Sequence, residues 1–234
     1  MKLASLIIIF FLLNNITLYD ISLEDDAFHS ELPFHIETWY FEAIFESNES
    51  IVFMITFMGD KGAGIFMTGI HFYKNGKIVY EKRKIHNSFF VSDKTPYIVA
   101  DGKEIIYGFL REGKICYKVS FSTDSFSFSL FYENTTKGWK TWNNEWLAIP
   151  NMNVKGNFKF KNEEKNVEGK GYHDHNIFFP SNPFTRRGYI DGKIMMNDIS
   201  IVWAKLMKNF FLHEIFLTFR DIFKPLFIFF LGWE

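Results

Sequence analysis

Turn chemistry punctuates this chain at such short intervals that it leaves room mainly for paired strands. Asn75-Gly76 and Asp101-Gly102 carry the positive-φ dipeptides of two-residue hairpin loops, and Glu112-Gly113 and Asp191-Gly192 are similar. The segments between are rich in aromatic and β-branched residues, which suit a pleated, half-buried surface. The pattern predicts strands over residues 38–46, 51–58, 64–73, 77–84, 88–91, 97–100, 103–110, 114–120, 126–132, 154–160, 165–173, 188–195 and 199–206. Phe126-Ser127-Phe128-Ser129-Leu130 alternates cleanly, with phenylalanine on one face and serine on the other. No helical periodicity of useful length precedes residue 205. So many strands must hide their edges, and an antiparallel β-barrel or curved sandwich does so.

Composition narrows the partners. The chain has 234 residues, and 30 of them are phenylalanine. That much aromatic surface suits a β-rich core, and it would also line a cavity for an oily ligand. The net charge is −1, with no long basic run, which argues against nucleic acid as partner. A single cysteine, Cys116, excludes an internal disulfide and any multi-cysteine metal site.

Chemistry concentrates in Gly169-Lys170-Gly171-Tyr172-His173-Asp174-His175-Asn176. On a strand, Tyr172, Asp174 and Asn176 share one face, while His173 and His175 share the other. The histidines would brace the far side or cap the strand end. Gly169 and Gly171 fit a bulge or a close backbone approach. His173, Asp174 and His175 are competent metal ligands, but His-x-His on a strand needs a distant third. His29, His35, His71 and His86 are candidates that no spacing ties to the motif, so no metal and no cofactor is assigned. Earlier, Glu37 and Trp39 fall on one strand face and Tyr40 on the other, and Glu37 is a candidate partner for the Trp39 N–H. Trp139, Trp142 and Trp146 crowd a third segment, either as a ligand-stacking mouth or as a plug packed on the core.

The order of these motifs resembles the carotenoid 1,2-hydratase (hydroxyneurosporene synthase) family, which also looks related to fungal Diels–Alderases. Glu37-Thr38-Trp39-Tyr40 answers that family's E-W-W-Y segment, with Thr38 in place of tryptophan. Leu147 and Pro150 answer L-x-x-x-P, Val154 and Gly156 answer V-x-G, and Gly169 to Asn176 answers G-x-G-Y-H-D-H-N. Ile177-Phe178 replaces the Trp-Gly that follows. The resemblance implies a lipocalin-like barrel over residues 20–205 and a hydrophobic small-molecule ligand, a terpenoid, carotenoid or lipid. It implies catalysis without a cofactor: acid protonation of an alkene, then hydration or cyclisation. Asp174 would be the acid and Tyr172 its hydrogen-bond partner, with His173 and His175 orienting or reprotonating it. Trp39 or Tyr40 would stabilise the cation, and Glu37, Trp146 and Asn176 complete the expected ligand contacts. The alternative is a non-catalytic, membrane-associated lipid binder of the same fold.

The two ends differ from the middle. Residues 1–19 read as a signal peptide or a retained hydrophobic anchor, with Lys2 ahead of the apolar run Leu3 to Leu13. Residues 206–234 read as a C-terminal amphipathic helix, with Phe211, Ile215, Phe219 and Phe223 at helical spacing and Pro225 as its break. The family's second lipocalin-like domain would then be missing. These ends imply an exported or membrane-associated protein that meets a membrane surface.

Overall fold

The structure is a computed structural model, and it describes residues 18–179, 189–196, 199–207, 211–219 and 226–230. The anticipated signal or anchor segment lies almost wholly outside these residues. Among the described residues, no helix is long and apolar enough to cross a membrane.

A short 3-10 turn, Leu23–Asp26, precedes an all-antiparallel meander. Its first strands are β1 (His35–Phe45), β2 (Glu49–Asp60), β3 (Ala63–Lys74), β4 (Lys77–Ile85), β5 (Phe89–Val91) and β6 (Tyr97–Ala100). Then come β7 (Lys103–Arg111), β8 (Lys114–Ser122), β9 (Phe126–Asn134), β10 (Trp139–Lys140), β11 (Trp146–Phe160) and β12 (Glu163–Phe178). Together they form a twelve-stranded sheet in the order β4-β3-β2-β1-β12-β11-β9-β8-β7-β6-β5, with β10 beside β11. The predicted hairpin dipeptides at 75–76, 101–102 and 112–113 all have positive φ at both residues. Rings from the two halves of the sheet meet across the interior: Phe53 and Phe121 at 5.2 Å, Phe66 and Phe89 at 5.1 Å, Tyr80 and Phe126 at 5.1 Å. The sheet therefore curls around one aromatic core, a lipocalin-like β fold.

A second sheet follows, in the order β13 (Tyr189–Met195), β14 (Ile199–Met207), β15 (Phe211–Phe219) and β16 (Leu226–Phe230). Two expectations fail here. The C-terminal amphipathic helix is absent from the described residues: Phe211–Phe219 pairs with β14 from Ile199↔Phe219 to Met207↔Phe211. A spacing of four residues falls on one face of a strand as well as one face of a helix, so Phe211, Ile215 and Phe219 satisfy both periods. The β-type composition and the neighbouring edge of β14 decide for the strand. The Asp191-Gly192 hairpin also fails, because both residues lie inside β13, opposite Ala204 and Trp203. Gly192 is there for space: a Cβ would stand 2.5 Å from the Trp203 ring.

The long strands β11 and β12 carry the join between the sheets. Pro150 has no N–H for the ladder, and the β11–β12 register shifts between Ile149 and Met152. The bulge presents buried Asn151, whose Nδ2 donates to the Met196 carbonyl at 3.2 Å and so ties the second sheet to the first. In β12 the in–out alternation of residues 163–170 stops at Gly171, and residues 171–175 are all buried. That happens where both faces of a sheet are covered.

Gly169 and Gly171 prove to be close-approach positions. A Cβ on Gly169 would meet the Ile44 carbonyl at 2.0 Å, and one on Gly171 would meet Val154 at 2.4 Å and Tyr132 at 2.8 Å. Gly171→Ala should therefore force β1 and β11 off β12 at the motif. The expected loss is about 1–3 kcal/mol, as for other overpacked cores, read as a lower urea midpoint at unchanged m-value.

Candidate functional site

Strand β12 divides its motif as the pleat requires, and the two faces meet different surroundings. His173 and His175 turn into the aromatic core, alongside His35, Glu37, Trp39 and Phe41 of β1. Tyr172, Asp174 and Asn176 turn outward, into the seam covered by the second sheet.

On the core face, two buried carboxylates and several imidazoles form one network. His173 Nε2 lies 3.0 Å from Asp26 Oδ2, while its Nδ1 faces the Tyr40 carbonyl at 3.0 Å. His175 sits between the acids, Nδ1 3.1 Å from Asp26 Oδ1 and Nε2 2.8 Å from Glu37 Oε1. Glu37 also receives His29 Nδ1 at 2.9 Å and His35 Nε2 at 3.1 Å. Burial opposes the charge on Asp26, yet His173 and His175 hold that carboxyl well below its usual range. Burial opposes Glu37 too, and His175, His29 and His35 outweigh it. His175 is disfavoured as a cation by burial, but Asp26 and Glu37 raise it to about 9, so it is protonated at neutral pH. Trp39 stacks on His175 at 4.5 Å and Phe41 on His173 at 4.1 Å, fixing both rings.

The seam face is built differently. Tyr172 Oη donates to Asp174 Oδ2 at 2.8 Å, and Asn176 Nδ2 donates to Oδ1 at 2.9 Å. Asp174 is flanked across the ladder by Tyr40 of β1 on one side and Ala148 of β11 on the other, and Trp139 stands beyond Ala148. Trp139 and Trp146 meet edge to face at 5.1 Å. From the second sheet, Val202 and Met195 pack on this apolar cluster. Lys193 pairs with Glu42, and its ammonium lies 4.3 Å from the Tyr172 ring centre and 5.5 Å from that of Tyr40. Burial raises the Asp174 carboxyl to about 6, against the lowering influence of the Tyr172 hydrogen bond, His173 and Lys193. Burial, reinforced by Glu42, keeps the Tyr40 phenol neutral and donating to Glu42 Oε2 at 2.9 Å. Tyr172 stays neutral through burial and the adjoining Asp174.

The anticipated site residues thus separate into two groups. Asp174, Tyr172, Asn176, Tyr40 and Trp146 come together on the seam. His173, His175, Glu37 and Trp39 lie through the sheet from them, so the histidines do not bond Asp174 and Trp39 cannot face a cation formed beside it. Nor does Trp39 donate to Glu37; its Nε1–H reaches the Asp26 carbonyl at 3.1 Å. Trp142 is 76% exposed and joins neither group. Sequence reading missed Asp26, which sits in a stretch that looks like acidic loop, and also Glu42, Ala148 and Lys193. The alternation of β1 could have flagged Glu42, two residues beyond Tyr40; nothing local marks the others. Among the described residues, those that could hold a metal are His29, Glu37 and His175 on the core face, not the His173-Asp174-His175 run. An open concavity of about 870 Å³, lined by Lys118, Phe131 and Lys155 among others, contains none of these residues.

Solved structures share this architecture. A Nitrosomonas europaea protein provisionally named AttH superposes with a TM-score of 0.63 at 13% identity, covering 85% of this chain and 69% of that one. Kievitone hydratase from Nectria haematococca gives 0.55 at 9% identity, over 89% and 68%. CghA, determined with Sch210972, gives 0.53 at 12%, over 88% and 68%. At such identities the likeness establishes the lipocalin-like fold. No protein-family model and no curated protein matches the sequence.

Proposed function

We propose that this chain is a cofactor-independent hydratase or cyclase of the carotenoid 1,2-hydratase type, acting on the alkene of a small hydrophobic substrate at the seam between its two sheets. The observation that carries this reading is Asp174: a buried carboxyl raised to about 6, gripped on both oxygens, among aromatic rings. An acid of that kind can protonate an alkene carbon. The other alkene carbon becomes a cation. Water then adds to it, and the proton lost from the adduct returns to the Asp174 carboxylate. In the cyclase variant an internal alkene attacks the cation, and the ring cation so formed loses a proton to the Asp174 carboxylate, leaving a new alkene.

The position of Lys193 supports the second half of this scheme. Its ammonium rests over the faces of Tyr172 and Tyr40 and beside Glu42, a place where positive charge is stabilised. A carbocation formed next to Asp174 would use the same rings. That kievitone hydratase is a hydratase by name agrees with this reading. Asp174 is buried beneath a seam that Lys193 and Met195 of the second sheet help to cover, so a substrate reaching it has to move side chains of that sheet.

The pH profile tests the acid directly. Turnover of an acyclic isoprenoid alkene should fall as pH rises through about 6, where Asp174 ionises. Tyr172→Phe removes a hydrogen bond that favours the ionised form, so that limb should move to higher pH. A profile flat from pH 5 to 8, or a Tyr172→Phe limb displaced downward, would refute Asp174 as the acid.

A further inference from the structure

The core-face network has a feature that ion pairing alone does not require. Two imidazole nitrogens converge on a single carboxylate oxygen: His29 Nδ1 at 2.9 Å and His175 Nε2 at 2.8 Å from Glu37 Oε1. All three atoms lie within 4.8 Å of one another. We propose that His29, Glu37 and His175 form a binding site for one divalent transition-metal ion of the zinc class.

Donor type and reach both fit. Two imidazoles and a carboxylate are ordinary zinc ligands, at roughly 2.0–2.2 Å from the ion. Around a tetrahedral ion such donors stand roughly 3.3 Å apart. The two donor pairs at 2.8–2.9 Å therefore need to spread by only a few tenths of an ångström, while the two imidazole nitrogens, within 4.8 Å of each other, close toward the same separation through rotation of the partly exposed His29.

The groups behind the donors are those that orient metal-bound imidazoles. The far nitrogen of His175, Nδ1, faces the Asp26 carboxylate, which fixes the ring and leaves Nε2 pointing at the centre. The far nitrogen of His29, Nε2, stands 3.0 Å from the Asn144 amide. Asn144 Oδ1 is buried without a hydrogen-bond partner. Turning that amide end for end lets Oδ1 accept from His29 Nε2–H, in exchange for the long bond that Nδ2 donates to the Asp25 carbonyl at 3.4 Å. His29 then presents the Nδ1 lone pair to the centre. The second Glu37 oxygen is held by His35, whose own Nδ1 is 2.9 Å from the Pro33 carbonyl.

Freed of their protons, the three donor atoms would direct lone pairs at one point, which needs positive charge between them. Protons supply it in the metal-free protein, and a dication supplies it with fewer ordered protons. The His29 side chain is 20% exposed, which gives an ion a way in from solvent. Bound there, the ion would pin the segment after the 3-10 turn to β1 and β12, behind the strand that presents Asp174. It takes no part in the alkene chemistry proposed above.

Isothermal titration of the chelator-treated full chain with zinc chloride at pH 7.5 tests the site. One equivalent should bind per chain and raise the thermal midpoint. His29→Ala, a change at the partly exposed ligand, should weaken binding at least tenfold. His71→Ala, on β3 and outside the network, should leave it unchanged. With cobalt(II) as probe, visible bands of a low-coordinate ion should appear in the parent chain and the His71→Ala variant, and vanish in His29→Ala. Absence of a saturable single equivalent in the folded parent, or binding equal in parent and His29→Ala, overturns the proposal. Equal loss in both variants would mark surface histidine binding and overturn it as well.

Discussion

Asp174→Asn should lose turnover by about 10²–10⁴-fold while remaining folded, the range expected when a positioned general acid is removed. The amide fills the same volume, its oxygen can still accept from Tyr172, and its NH2 can donate to Asn176 once that amide turns end for end, so the seam has no reason to open. Stability should even improve at neutral pH. A carboxyl raised in the folded state, from 3.8 to about 6, binds more protons folded than unfolded between those values. Its contribution therefore falls as pH climbs from about 4 to about 6, and at pH 7 the folded protein carries an unfavourable buried charge. A neutral amide removes that penalty, on the order of 1–3 kcal/mol. Urea unfolding at pH 7.5 and at pH 4 reads it: the variant should gain on the parent at the higher pH and not at the lower. Undiminished turnover in a folded Asp174→Asn chain would end the acid-catalysis reading.

Glu37→Ala should be the most damaging single change on the core face. It strips the shared carboxylate from His175, His29 and His35, leaving a buried imidazolium with Asp26 alone. Breaking one side of a buried ion pair costs about 3–5 kcal/mol. For a domain of this size that corresponds to roughly 10 °C in Tm. The pH dependence of the parent has a definite sign. Asp26 and Glu37 are depressed in the fold, so their contribution is present above their unfolded values of 3.8 and 4.5 and is lost as pH falls below them. His175 is raised from 6.5 to about 9, so its contribution is complete below 6.5 and is lost as pH rises through about 9. The network is therefore strongest between about pH 5 and 6.5, and the gap between parent and Glu37→Ala should be widest there. A midpoint unchanged at pH 6 would show that the network contributes nothing net.

The two faces of one strand thus carry opposite electrostatic designs. The core face binds its charges with counter-charges, so Asp26, Glu37 and His175 stay ionised despite burial. The seam face buries a carboxyl among phenols and indoles, so burial dominates and the proton is held up to about pH 6. An ion-paired network and a poised acid lie on adjacent residues because the pleat reverses direction at every step.

The sequence by itself determined whatever the local backbone decides. Positive-φ dipeptides at 75–76, 101–102 and 112–113 set the hairpins, and period-two alternation set most of the strands. The pleat alone separated Tyr172, Asp174 and Asn176 from His173 and His175, and Trp39 from Tyr40. Tertiary structure decided which side of that division is core. Both faces of residues 171–175 are covered, so neither alternation nor composition marks an outside. It also supplied the partners: Asp26 and His29 from the segment before β1, and Lys193 from a second sheet. Their place in the chain carries no signal of where they meet. The C-terminal stretch was ambiguous for a geometric reason, since a four-residue repeat satisfies helix and strand alike. The edge of β14, a feature of assembled structure, resolved it as strand, in keeping with its β-type composition.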